Sequence, residues 1–192
     1  MFKTIFFLFI FFVVSSTSLA QNIRVNVHMH NKANQENSDT IYYNGNRNLT
    51  WSDFKGVPAK NHFGGAVTAS GFSFDAEMNM VENEINLNIW VSTFFNKKSS
   101  WKKQNINSDY HLLHEQRHFD ITRISAEKFC NELVKANFTL NNYKKLLSSI
   151  FDAVFDKHTA MQRDYDRETQ HSINIKEQLR WNNKIAEEIK KL

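Results

Sequence analysis

Cysteine is nearly absent from this chain: Cys130 is the single copy in 192 residues. No internal disulfide can therefore form, and a cysteine-built zinc site is excluded. Cys130 falls in an amphipathic stretch and reads as a small core residue. Proline is as scarce, with one copy, Pro58, just after Gly56, where it marks a break. From Ser108 to Asn137 there is neither Gly nor Pro, so nothing interrupts a long helix, and Ser108 is a suitable N-cap. No cluster of Lys and Arg is dense enough for a nucleic-acid footprint, so no nucleic-acid partner is expected. Past the N-terminus there is no second long apolar run, no internal repeat and no low-complexity tract.

What is present begins with residues 1–20, which have the features of a secretory signal peptide. Lys3 precedes an apolar run from Ile5 to Val14, followed by small polar residues and Leu19-Ala20. Ser18 and Ala20 supply the small side chains expected at a cleavage site. The run is too short to cross a hydrocarbon core, which needs about 20 residues. No Cys follows it, so a lipoprotein site is not supported. The expectation is an exported protein, secreted or periplasmic, with no stable membrane insertion after cleavage. Loss of Lys3 lowers the formal charge of +4 by one, leaving it mildly basic. Residues 21–192 suffice for one domain with a proper core.

The first half alternates in the manner of strands. Ile23, Val25, Val27 and Met29 interleave with Arg24, Asn26, His28 and His30. Ile85, Leu87, Ile89 and Val91 do the same with Asn86, Asn88, Trp90 and Ser92, and Ala66 to Met80 forms another expected strand. The second half is helical in pattern. Helices are expected over about 108–137, from Asn142 to the Asp166 region, and from Ile173 to Leu192. The fold class is α+β: a mostly antiparallel N-terminal sheet packed on a central helix and a C-terminal helical pair.

The segment His114-Glu115-Gln116-Arg117-His118 carries the chemistry. On a helix, residues four apart share a face, so His114 and His118 can present two imidazoles to one ion. Glu115 lies about 100° round the axis, offset from coordination yet within reach of a bound water. Two surface histidines in ordinary ion pairs are the plainer alternative. Zinc with an open position needs a third protein ligand. His111 shares the helix, and one straight helix wraps three ligands poorly. His28 and His30 share a strand face, where an exposed polar role is simpler. Tyr165 to Ser172, at the junction of the second and third helices, offers His171 and Asp166.

These segments together resemble the bacterial domain of unknown function 922 family, described as predicted secreted zinc-dependent proteases. Leu49 to Gly56 resembles its L-T-W-x-D-F-x-G motif, and Leu113 to Ile121 its L-x-H-E-Q-x-H-F-D-I core. Tyr165 to His171 resembles its Y-D-x-x-T-x-H element, and Gln178 with Trp181 a trailing Q-x-x-W. Gly usually follows the late His; here it is Ser172, a poorer residue if the position needs φ > 0.

The resemblance implies a zincin-like zinc metalloprotease acting on a peptide or protein substrate. His114, His118 and His171 are the expected metal ligands. Asp166 is the alternative third ligand, or the carboxylate that orients a ligating imidazole. Glu115 is the expected general base. Tyr165 is a candidate donor to the developing oxyanion, with a packed aromatic whose hydroxyl sits at the surface as the alternative. Asp120, flanked by Arg117 and Arg123, reads as part of a helix-surface ion-pair cluster. Trp51, Phe54 and Trp181 read as core anchors. The strand from Ile85 to Val91 is a candidate edge for substrate, or else an interior strand. A non-catalytic zinc- or peptide-binding module and a metal-dependent cell-wall amidase are the alternative functions. Oligomeric state and cleavage specificity are not legible.

Overall fold

A computed structural model describes residues 23–29, 37, 39–45, 47–81 and 84–192. The expected signal segment and His30 lie outside the described residues. Strands come first, as the period-2 alternation requires: β1 (Ile23–Met29), β2 (Thr40–Tyr42), β3 (Ala66–Val67), β4 (Ser70–Val81), β5 (Glu84–Asn96) and β6 (Trp101–Lys102). Three helices follow, α1 (Asp109–Lys135), α2 (Tyr143–Thr169) and α3 (Ile175–Lys190). The class is α+β with an antiparallel-rich sheet, as the pattern implied.

β5 is the spine of the main sheet. It pairs antiparallel with β4 along its whole length, antiparallel with β2, and parallel with β1. β1 faces residues 85–91 and β2 faces 94–96, so they lie end to end along the edge that β4 leaves open. β5 is therefore interior, and the reading of Ile85 to Val91 as a substrate edge does not hold. β3 and β6 form a separate two-stranded ribbon.

The inward face of the sheet supplies Leu87, Ile89, Val91 and Phe72. Against it packs one side of α1, through Ala126, Phe129, Cys130 and Leu133, with Leu147 and Val154 of α2 closing the cluster. Each large side chain buried here contributes about 1.5–3 kcal/mol. Burial also pushes the Cys130 thiol up to about 11, consistent with an inert core residue. The other side of α1 uses Ile121 and Ile124 to meet Tyr165, Trp181 and Ile185 of α2 and α3. Residues 118 to 122 are all buried, so the middle of α1 is covered on every side. Ser108 caps α1 by accepting from the His111 amide.

The Leu49 to Gly56 segment docks on α1. The Leu49 amide donates to Gln116 Oε1 at 2.7 Å. Thr50 and Asp53 close a capping box on the short 3-10 turn Trp51–Asp53, and Arg47 pairs with Asp53 at 2.8 Å. Phe54 packs against Phe95, and the partly buried Trp51 packs against Phe54. At Gly56 an added Cβ would lie 2.6 Å from the Lys98 carbonyl oxygen, so this backbone approach requires glycine.

Candidate metal centre

α1 brings His114 and His118 to one face, one turn apart, as the spacing demands. α2 supplies the opposing wall. His158, Gln162 and Asp166 recur at four-residue spacing and look toward α1, where each bonds or faces one of its side chains. Asp166 Oδ1 lies 3.1 Å from His114 Nε2 and 3.1 Å from His118 Nε2, while the two Nε2 atoms are 3.3 Å apart. These three side chains form a cluster able to hold a metal ion. A tetrahedral ion with bonds of about 2.0–2.1 Å keeps its donors about 3.3–3.4 Å apart, so the triangle has the right size.

The electrostatics agree with the geometry. Burial alone would depress His118, but the hydrogen bond and charge of Asp166 outweigh it and lift His118 to about 9. Burial alone would raise Asp166, but bonds from His114 and His118 hold it well below the usual carboxylate range. The cluster thus attracts positive charge. A proton meets that demand in the metal-free chain, and a cation can meet it instead.

Each imidazole is steered from behind. His114 Nδ1 is 2.7 Å from Gln178 Oε1, and His118 Nδ1 is 2.5 Å from Gln162 Oε1. The Tyr165 ring stacks on His114 at 4.6 Å between centroids and meets His118 edge-on at 4.9 Å.

Of the two candidates for the third ligand, Asp166 joins the imidazoles and the favoured His171 stands outside them. His171 Nδ1 is 3.2 Å from Asp166 Oδ1, on the solvent side. The reason is backbone. Asp166 sits in the last turn of α2, facing α1. The chain then passes through three left-handed residues, Gln170, His171 and Ser172, with φ of 50°, 52° and 73°. Those residues carry His171 away from the α2 face. Ser172, where the sequence departs from the motif it resembles, does adopt φ > 0. Tyr110 fastens the turn by donating to the Ser172 carbonyl at 2.8 Å.

Glu115 is buried, and Thr68 donates to its Oε2 at 2.8 Å. A cavity of about 20 Å³ is lined by His111, His114, Glu115 and His171, with Gly65 and Ala66 before β3 and in it. That volume suits one water molecule. Tyr165 does not point there. Its hydroxyl donates to the His114 carbonyl oxygen at 3.3 Å and accepts from Gln178 Nε2 at 2.6 Å, so Tyr165 is a packed aromatic whose hydroxyl is buried and already bonded, neither at the surface nor turned to the cavity. His111 is turned to Ser108, 2.5 Å away, and His28 is exposed beside Trp90.

Asp120 corrects a second expectation. It is buried, and it accepts from Gln116 Nε2 at 2.9 Å, Arg117 at 2.7 Å and the Tyr43 hydroxyl at 3.2 Å. It is an internal hub and not a surface cluster; Arg123 pairs with Glu127 instead.

Residues 81–172 match the family model described as Bacterial protein of unknown function (DUF922). This is the family that the sequence motifs resemble. The matched span contains β5, both histidines, Glu115 and Asp166. No curated protein and no solved structure matches.

Gln162 and Thr68 were missed by sequence reasoning. Gln162 precedes Asp166 by one helical turn, which was a usable signal; Thr68 carried none.

Proposed function

We propose that this chain is an exported, zinc-dependent metallopeptidase of zincin-like type. The observation that carries the reading is the convergence of His114 Nε2, His118 Nε2 and Asp166 Oδ1 within 3.3 Å of one another, beside the Glu115 carboxylate and a water-sized cavity. Two imidazoles and one carboxylate are a donor set typical of a catalytic zinc with an open fourth position. Bound there, zinc would polarise a carbonyl and make a water acidic near neutral pH.

The chain's own residues do the remaining work. Thr68 holds one oxygen of Glu115, leaving the other for a proton of the cavity water. Glu115 takes that proton during attack on the peptide carbonyl and returns it to the leaving nitrogen. His171, at the cavity and about half exposed, is the ring placed to donate to the developing oxyanion. Export is supported by the character of residues 1–20. Among the described residues no helix is long and apolar enough to cross a membrane.

The test is cleavage of a peptide pool by purified protein, with and without a chelator, alongside a metal count. Chelator-sensitive hydrolysis restored by zinc is expected. Zinc bound without any hydrolysis would support a non-catalytic zinc-binding module, a reading favoured by the small size of the cavity. No zinc bound at all would end both readings.

A further inference from the structure

We propose that Gln162 and Gln178 are a matched pair of positioning residues that set the tautomer of the two imidazoles and keep the metal centre low in negative charge. The inference rests on the metal-site reading above and goes beyond it.

Each glutamine faces its imidazole through the oxygen. Gln162 Nε2 is committed to the His118 carbonyl oxygen at 2.9 Å and to Thr122 Oγ1 at 3.2 Å. A carbonyl can only accept, so this end of the amide must be the nitrogen, and the end toward His118 the oxygen. Gln178 Nε2 is likewise committed, to the Tyr165 hydroxyl at 2.6 Å and to Asn182 Oδ1 at 2.8 Å. An amide oxygen accepts, so Nδ1 of both rings must carry hydrogen. Once a cation takes the place of the proton shared with Asp166, each ring is a neutral imidazole with one N–H, which leaves Nε2 of both rings as a lone pair directed at the shared centre. Gln178 is almost wholly buried, so water does not substitute for its oxygen.

The choice of amide has a consequence. Metal-bound histidines are often oriented by carboxylates, which add charge and raise ligand basicity. Here two different helices, α2 and α3, each place an uncharged acceptor behind one ring. Asp166 is then the single anion among the three donors and their two orienting groups. A dication held here retains most of its charge for polarising a substrate, at some cost in affinity.

The experiment compares zinc affinity in the full-length protein and in Gln162→Leu, Gln178→Leu and Gln178→Glu, with melting curves to confirm folding. Each Leu variant should bind zinc about 10–100-fold more weakly. Gln178→Glu, which keeps the acceptor and adds charge where the neighbouring hydroxyl and amide can turn to donate, should bind as tightly as the unmodified chain or tighter. In the zinc-loaded protein, slowly exchanging Nδ1–H signals of two histidines should be visible, and each Leu variant should lose one of them. Unchanged affinity in folded Leu variants would overturn the inference, as would a Gln178→Glu variant as weak as Gln178→Leu. If the unmodified chain bound no zinc, the metal-site reading itself would fail and take this inference with it.

Discussion

Thr68 Oγ1 lies 2.8 Å from Oε2 of Glu115 and 3.1 Å from the carbonyl oxygen of the same residue. One hydroxyl proton cannot serve both fully, and the carboxylate is the stronger acceptor. The bond holds a carboxylate whose other oxygen is left for chemistry. Glu115→Gln should retain zinc and lose roughly 10²–10⁴-fold in turnover. Thr68→Val should lose about tenfold to a hundredfold, the equivalent of one hydrogen bond to a charged group. Metal content and peptide hydrolysis, measured on the same samples, check both. Full turnover in Glu115→Gln would remove that residue from the role assigned to it.

The roles of Asp166 and His171 can be separated by substitution. Asp166 touches both Nε2 atoms, whereas His171 touches only Asp166 within the cluster. Asp166→Asn should lower zinc affinity more than about 100-fold, beyond what loss of an orienting group causes. His171→Ala should keep affinity within about tenfold and lower turnover, since it loses a donor at the cavity and not a ligand. Competition titrations with a zinc indicator would decide, and the reverse pattern would restore His171 as the ligand.

The periods of the sequence announced the three helices and the strands around Ile23–Met29 and Ile85–Val91 to within a few residues, whereas the single strand expected from Ala66 to Met80 divides into β3 and β4, which lie in different sheets. Direction was illegible: alternation in Ile23–Met29 reads the same whether its partner runs parallel or antiparallel, and β1 proved parallel. The paired imidazoles followed from helical spacing alone. The third donor did not, because Asp166 and His171 share one short segment and only the left-handed turn after α2 separates them. Asp120 was misread for a related reason. Its place on α1 follows from helical spacing, but Tyr43 and Leu49, which bond to that side of the helix through Asp120 and Gln116, are remote in the chain.

Ser172 occupies a position with φ of 73°, between a buried side-chain site and the Tyr110 hydrogen bond. A left-handed conformation costs a non-glycine residue about 1–2 kcal/mol, while glycine adds freedom to the unfolded chain worth about 0.4–1 kcal/mol. Ser172→Gly should therefore stabilise the protein by roughly 0.5–1 kcal/mol. Zinc affinity should hold, because Asp166 precedes the turn. Urea melts of the two proteins check the sign; a destabilised variant would show that the buried serine contributes more than its backbone costs.

His158 should make the protein acid-sensitive. Its ring is buried between Phe72 and Phe155, with Ser125 Oγ 3.3 Å from Nδ1. Burial, and secondarily the positive charge of His118, lower it from 6.5 to about 4. In the unfolded chain the same group takes up its proton below about 6.5. Between those values the unfolded state binds the proton and the folded state does not, so stability falls as pH drops from about 6.5 toward 4. By pH 4.5 this single group accounts for a loss of about 2 kcal/mol. His158→Leu keeps an apolar side chain at the site and removes the proton. Urea melts at pH 7 and pH 4.5, in chelator so that metal release adds nothing, should show a smaller decline in the variant. Equal declines in the two proteins would mean that His158 takes up its proton without unfolding.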